Sequence, residues 1–238
     1  MSDVFDAAGK ALDLVFGLDA GLLHVVALSL AVSLSATVAA SAIGLPFGAA
    51  LTVFRFPGRS LLILLANALL GLPPVVVGLV LYIVLSRSGP LGFLGILFTP
   101  VAMVIAQFLL ALPIISALSH RAMEGVWRDF GDDLLVSGAS RGQAIPHLLS
   151  IGRKGAMTAS LAGFGRSISE VGAILIVGGN IAGYTRTMTT TIVLETSKGN
   201  FAFALALGLV LIAISVLVSA CAFAITARSD RPRRWETS

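Results

Sequence analysis

Long stretches with few or no charged residues recur along this sequence, and they constrain its fold more than any other feature. A helix needs about 20 mostly apolar residues to cross ~30 Å of hydrocarbon. These runs are long enough, and they do not alternate polar and apolar residues as a β-barrel wall does. Only 12% of all residues are charged. The sequence therefore predicts an all-α, multi-pass membrane protein with five spans, at residues 22–54, 60–85, 91–118, 155–177 and 201–227.

The basic residues between the spans are distributed unequally. If the spans alternate in direction, eleven lysines and arginines fall on one side and four on the other. The positive-inside rule then places the larger set in the cytoplasm, with the N-terminus outside and the C-terminus inside the cell membrane. The cytoplasmic set is Arg55, Arg59, Arg121, Arg128, Arg141, Arg153, Lys154, Arg228, Arg231, Arg233 and Arg234, and the outer set is Lys10, Arg87, Arg186 and Lys198.

Two terminal segments flank the transmembrane domain, which is assigned to residues 22–227. In residues 1–21 the apolar pattern is interrupted by Asp6, Lys10 and Asp13. This pattern predicts an amphipathic helix on the outer membrane surface. Residues 228–238 form a basic cytoplasmic tail, which we interpret as an anchor attracted to anionic lipid and not as a nucleic-acid site.

The sequence lacks the common motifs of catalysis and nucleotide binding. It has no Gly-x-x-x-x-Gly-Lys-Ser/Thr loop, zinc motif or nucleophile elbow, and its histidines, His24, His120 and His147, are far apart. We therefore expect no enzyme activity and no metal or cofactor site in this chain. If transport through it consumes ATP, the ATPase is another polypeptide.

The longest polar stretch, residues 119–154, predicts two short helices on the cytoplasmic side. The first covers residues 129–137, where apolar residues recur at helical spacing, and Gly138 follows as a left-handed stop. Ser140 and Gln143 have the spacing of a capping box for the second helix, whose apolar face contains Ile145, Leu148, Leu149 and Ile151. These helices either lie among lipid headgroups or dock into a groove of a cytoplasmic partner.

Arg166 and Glu170 lie within the fourth predicted span, about 11 and 15 residues from its cytoplasmic start, which is near mid-membrane at ~1.5 Å per residue. Their spacing of four residues lets them pair on one helix face. A lone charge at this depth costs about 2.5–3.5 kcal/mol, so the face points at protein or at a water-filled passage. The pair is either a structural clamp or part of a gate on a translocation route. Pro73 and Pro74 predict a kink in the second span that suits the same route.

A polar segment follows the fourth span. It contains Gly178, Gly179, Asn180, Tyr184 and Arg186, and a run of threonines follows it. Its backbone amides and its arginine are suited to contact an oxyanion or an anion carrier, although an ordinary polar loop has the same composition. The threonines begin a further predicted short helix that returns to the membrane.

Three stretches resemble the permease subunits of ABC importers for molybdate, tungstate and sulfate. DDLLVSGAS (residues 132–140) resembles their Glu-Ala-Ala-x-x-x-Gly signature, with Asp133 and Leu134 in place of two alanines. GLPPVVVGLVLYIVLSRSGPLG (71–92) is similar to a core helix and its following loop. Residues 162–201 resemble the tungstate branch, in which GFGR-ISEVGA, VGGNI-GYTR-MTT and LETSKG recur.

The resemblance implies a type I ABC-importer fold and a homodimeric permease. It also implies two partner ATPase subunits, which bind ATP and Mg, and an extracytoplasmic binding protein that delivers the oxyanion. Tungstate ranks first as the substrate, molybdate second and sulfate third. The residues implied to contact the ATPase are Asp132, Asp133, Gly138, Ala139, Ser140 and Arg141.

Two alternatives remain open on the residues alone. One is a secondary transporter driven by an ion gradient, with Glu170 as the proton or ion relay. The other is a membrane scaffold that transports nothing. Uptake that needs no ATPase would indicate the first, and the absence of any oxyanion accumulation in vesicles would indicate the second.

Overall fold

A computed structural model describes Gly17 and residues 20–228 of the chain. Over those residues the backbone is helical and contains no β-strand, which confirms the all-α prediction. Apart from Gly17, Ala20 and Gly21, the predicted N-terminal amphipathic segment lies outside the described residues, as does the basic tail from residue 229 onward. The helices are α1 Ala20–Val53, α2 Arg59–Ala68, α3 Pro74–Leu85, α4 Pro100–Val136, α5 Arg141–Ile151, α6 Arg153–Ile168, α7 Gly172–Gly178, α8 Met188–Ser197 and α9 Phe201–Arg228.

Helices α1, α4 and α9 are each long and apolar enough to cross a membrane, in the described part of the chain. Two further spans are each made of a bent pair of helices. Helix α2, with the 3₁₀ turn Leu69–Gly71, meets α3 at 101°, and α6 meets α7 at 59°. The prediction of five spans is thus met only if each bent pair counts as one. The prediction that residues 155–177 form one continuous helix is wrong, because the helix ends at Ile168 and restarts at Gly172.

The third predicted span differs from the structure at both ends. It begins at Pro100 and not at residue 91, because residues 86–99 form turns that include the 3₁₀ turn Gly92–Leu94. It then continues without interruption to Val136. The predicted separate helix at residues 129–137 is therefore the last part of α4.

Helices α1 and α4 cross closely because small residues line their contact. A Cβ atom on Gly48 would lie 2.5 Å from the backbone oxygen of Ser116, so only glycine fits there. The hydroxyl of Ser119 donates to the carbonyl of Leu45 at 2.9 Å, and the side chains of Thr52 and His120 are hydrogen-bonded at 2.9 Å. Such small and hydroxyl-bearing contacts are typical of helices that pack within a membrane.

The connections cluster at two opposite ends of the helices. At one end, the Phe98 N–H donates to the Val177 carbonyl at 2.9 Å and joins the α3–α4 connection to the end of α7. At the other end, the second helix of the polar stretch, α5, packs against the ends of α1, α4 and α6. This grouping agrees with spans that alternate in direction.

Candidate functional site

The turn between α4 and α5 has the local structure that its residues predict. Gly138 has a φ of 86°, which confirms the left-handed stop after α4. The Ser140 side chain accepts from the Gln143 N–H, and the Gln143 side chain accepts from the Ser140 N–H, so the predicted capping box is present. Gly138 in its left-handed conformation and Ser140 as the N-cap of α5 make a short, sharply defined turn at the tip of α4, a helix of 37 residues.

The residues predicted to contact an ATPase lie at this tip. The structure places Asp132, Asp133, Gly138, Ser140 and Arg141 on the surface and leaves Ala139 half-buried. Apolar side chains lie beside them: Val136 is 88% exposed, and Phe130 and Leu135 are also exposed. All three lie within the predicted helix at residues 129–137, but none of them was predicted to contact the ATPase. The tip is thus a mixed apolar and polar surface of the kind that a protein groove can cover.

The apolar face of α5 is turned inward. Leu148 is fully buried and packs in a cluster with Ala49 and Val53 of α1, Met123 of α4 and Ala156 of α6. Ile145 and Leu149 pack against the same cluster, whereas Ile151 is exposed. The chain itself therefore covers most of this face. Consequently a displacement of α5 would push directly on three membrane helices.

Arg166 and Glu170 form the predicted ion pair, with Nη2 of Arg166 3.4 Å from Oε2 of Glu170. They do so across a helix break and not along one regular helix, because Ile168 is the last residue of α6 and Glu170 lies between α6 and α7. The Glu170 side chain is 4% exposed and that of Arg166 is 35% exposed. The carboxylate also caps α7, since Glu170 Oε1 accepts from the Ala173 N–H at 3.2 Å.

Two further side chains hold this break in place. The Gln107 amide of α4 donates to the Ser167 carbonyl at 2.8 Å and so links α4 to the end of α6. Thr189 of α8 donates to the Glu170 carbonyl at 2.7 Å. Neither residue was predicted to lie at this site. The isolated glutamine in an apolar helix was the available signal for one, and the threonine run after the loop was the signal for the other.

Pro73 and Pro74 lie at the bend between α2 and α3, where Pro73 precedes the helix and Pro74 is its first residue. The start of α3 packs on the start of α7. A Cβ on Gly78 would lie 2.8 Å from the Ala173 Cα, and a Cβ on Gly172 would lie 2.8 Å from the Val75 side chain. The two bent spans therefore meet at their breaks.

The segment after α7 folds back on itself. The Thr185 hydroxyl accepts from the Ile181 N–H at 2.9 Å and donates to the Gly178 carbonyl at 2.5 Å. Arg186 is half-buried and donates to the Asn180 carbonyl at 3.3 Å. Of the residues predicted to contact a binding protein, Gly179 and Tyr184 are exposed, Asn180 and Arg186 are half-buried, and Gly178 is buried. The short helix predicted after Thr187 is present as α8.

The outward face of α6 differs from the other surfaces of the membrane helices. Large apolar side chains are exposed on α1, α2, α3, α4 and α9, as lipid-facing positions require. Between residues 152 and 174 the described structure exposes none of them. The exposed positions of α6 and of the break that follows it include Thr158, Gly165 and Ser169, and Arg166 is half-exposed on the same side. This face carries small and hydroxyl-bearing residues and one arginine, and it suits a water-filled passage or a second protein surface.

No family model matches the chain, but curated proteins do. A probable anion ABC transporter permease protein of Haloferax volcanii is 43% identical over 184 residues, which cover 75% of this chain and 79% of the relative. The tungstate uptake system permease protein TupB of Peptoclostridium acidaminophilum is 37% identical over 84% of this chain and 88% of its own length. The molybdenum transport system permease protein ModB of Escherichia coli K12 is 30% identical over 73% of this chain and 80% of its own length.

Proposed function

Because the chain belongs to the oxyanion permeases of ABC transporters, we propose that it is the membrane subunit of an ATP-driven importer for tungstate, with molybdate the next candidate and sulfate the third. The observation that carries the proposal is the 37% identity, over 84% of this chain, to the tungstate permease of Peptoclostridium acidaminophilum. A second tungstate permease, from Campylobacter jejuni, has the same identity and coverage of this chain.

In this proposal the chain performs no covalent chemistry and works as a homodimer with two ATPase subunits. ATP and Mg bind to those subunits, and an extracytoplasmic binding protein delivers the anion. The N-terminus lies outside and the C-terminus in the cytoplasm, as the distribution of basic residues favours. The turn around Gly138 then faces the ATPase, and the segment with Tyr184 and Arg186 faces the binding protein.

The packing of α5 supports a mechanical role for the turn. Closure of the ATPase subunits around ATP would displace α5 together with Gly138. Since Leu148 is wedged against α1, α4 and α6, the displacement would reach three spans at once. Packed interfaces change between discrete arrangements rather than deforming continuously, so such a push can switch access from one side of the membrane to the other.

The polar face of α6 supports a passage there. Thr158, Gly165 and Ser169 line it with small or hydroxyl-bearing groups, and Arg166 supplies a positive charge for an anion. In the proposed homodimer, two such faces would lie on either side of the passage. Glu170 is almost fully buried and caps α7, which favours an internal partner for Arg166 over an ion relay.

Reconstitution tests the proposal. The permease, its co-purified ATPase and the binding protein are placed in liposomes, and uptake of tungstate is measured with ATP present or absent. We expect uptake that requires ATP and the binding protein. Uptake without the ATPase would indicate an ion-coupled transporter, and an absence of tungstate, molybdate and sulfate uptake under every condition would indicate a scaffold.

A substitution at Gly138 tests the coupling turn. Valine strains a backbone with a φ of 86°, at a cost of about 1–3 kcal/mol for a bulky residue in this region. We expect Gly138→Val to insert normally but to lose the stimulation of ATP hydrolysis by the loaded binding protein. Gly125→Ala is the matched control, because that glycine is helical and a Cβ there meets nothing within 4 Å. Full stimulation in Gly138→Val would remove the turn from the mechanism.

A further inference from the structure

The two members of the Arg166–Glu170 pair are held unequally, and Glu170 is the fixed member. Its N–H donates to the Ser167 carbonyl at 3.2 Å, and its own carbonyl accepts from Thr189 at 2.7 Å. One carboxylate oxygen caps the Ala173 N–H at 3.2 Å. A residue with these contacts and 4% exposure of its side chain stays in place when the ion pair opens.

Arg166 is the movable member. Its side chain is 35% exposed, and the 3.4 Å contact with Glu170 is the only polar contact of that side chain within the described residues. A guanidinium carries five N–H donors in a planar fork, so most of its donors are unoccupied here. Opening the pair therefore frees the arginine toward the polar face of α6.

The surroundings of Arg166 leave room for an anion. A Cβ on the neighbouring Gly165 would meet nothing within 4 Å, and Ser169, one turn along, is exposed. Arg166 is the only cation between residues 155 and 177 of the sequence. An oxyanion that gives up part of its hydration shell inside the protein pays a large free-energy cost unless charged N–H donors replace the lost water. Arg166 supplies both a positive charge and such donors.

We propose that Arg166 binds the oxyanion transiently during its passage and that Glu170 is the internal counter-ion that the oxyanion displaces. This inference rests on the proposed function. The ligand class is a tetrahedral, doubly charged oxyanion, whose oxygens accept two parallel N–H donors from one guanidinium. Glu170 then takes Arg166 back, which returns the anion to water, because conduction needs binding weak enough for release.

Transport by reconstituted variants is the first test. Arg166→Gln is expected to lower tungstate uptake at least about tenfold, the loss of a hydrogen bond to a charged group. Uptake is compared per co-purified permease–ATPase complex, so that a loss of folded protein is not counted as a loss of transport. Arg166→Lys keeps the charge without the fork and is expected to recover part of the uptake. Arg55→Gln removes an exposed arginine elsewhere and serves as the charge-matched control.

Direct binding is the second test and does not depend on transport. Radiolabelled tungstate is equilibrated with the purified permease–ATPase complex without the binding protein. Glu170→Gln keeps an oxygen to cap Ala173 but no longer neutralises Arg166, so it is expected to bind tungstate at least about tenfold more tightly than the wild type. The double variant Arg166→Gln, Glu170→Gln is expected to lose this gain.

The outcomes separate the two proposals. If the wild-type complex imports no oxyanion, the proposed function fails. If the wild type imports tungstate and Arg166→Gln imports it at the same rate, only the role of Arg166 is overturned. Equal tungstate affinity of the wild type and Glu170→Gln would overturn the counter-ion exchange in the same way.

Discussion

The two bent spans are broken by different means. The bend of 101° between α2 and α3 occurs at two consecutive prolines. Proline has no N–H to donate and holds the preceding residue in extended conformations, as the ψ of 121° at Pro73 shows. The bend of 59° between α6 and α7 contains no proline, and side chains from other helices hold it open.

The second break depends on tertiary contacts. Gln107 of α4 binds the Ser167 carbonyl, and Thr189 of α8 binds the Glu170 carbonyl. The Gln107 Oε1 and the Ser167 Oγ are buried, and neither has a hydrogen-bond partner among the residues that the structure describes. Buried polar groups usually have partners, so these two atoms leave unused hydrogen-bonding capacity beside the helix break.

The difference between the two breaks indicates which of them can move. We expect the first to depend mainly on its prolines, which restrict the backbone whatever the neighbouring helices do. The second changes when α4 or α8 shifts relative to α6, because its hydrogen bonds link these helices. Since the two breaks meet where Gly78 contacts Ala173, the fixed bend can serve as a support against which the adjustable one switches.

The largest expected effect comes from separating the two breaks. In Gly78→Ala the new Cβ would lie 2.8 Å from the Ala173 Cα, and a backbone atom cannot yield cheaply. Overpacking of this kind destabilises a protein by about 1–3 kcal/mol. The better helix propensity of alanine offsets at most ~1 kcal/mol of that destabilisation. We expect a lower thermal unfolding midpoint of the purified protein and reduced uptake.

Gly208→Ala on α9 is the matched control for that substitution. A Cβ there meets nothing within 4 Å, so the same chemical change should leave the unfolding midpoint unchanged or raise it. If both variants shift the midpoint by the same amount, the contact between the two breaks makes no specific contribution to stability.

A smaller effect is expected from loosening the adjustable break alone. Thr189→Val keeps the shape of the side chain and removes the hydroxyl that donates to the Glu170 carbonyl at 2.7 Å. The loss of one buried hydrogen bond costs about 0.5–1.5 kcal/mol. We expect a modest fall in the unfolding midpoint and a larger relative loss of uptake, measured on the same preparation. Thr196→Val, at an exposed position of the same helix, should change neither quantity, and an equal response of the two variants would contradict the assignment.

Features set by a few neighbouring residues could be predicted from the sequence. Gly138 terminates α4, Ser140 and Gln143 form their capping box, and Thr187 precedes a helix, as predicted. The ion pair of Arg166 and Glu170 was also predicted, because their spacing brings them together on a helix and across this break alike.

Features set by contacts between distant segments could not be predicted in the same way. The spacing of Arg166 and Glu170 fits an unbroken helix, and only Gln107 and Thr189, far away in sequence, reveal the break. Likewise, the charges after residue 120 predicted that the third span ends at residue 118 and that a separate helix covers residues 129–137. Instead α4 continues, because Met123 is fully buried against α5 and α6. Hydropathy detects burial in lipid, but it does not detect burial against another helix outside the membrane.

The smallest expected effect tests the fixed break. Pro73→Ala should change little, within about 0.5 kcal/mol, because Pro74 still lacks an N–H and still holds residue 73 extended. The double variant Pro73→Ala, Pro74→Ala removes both constraints and allows α2 and α3 to approach one continuous helix. Spin labels at the exposed positions Leu64 and Ile83, in a Cys221→Ser background, measure the bend as a distance. We expect the single variant to keep the wild-type distance and the double variant to lengthen it. A single variant that straightens as far as the double would show that this bend also depends on its neighbours, and the contrast between the two spans would disappear.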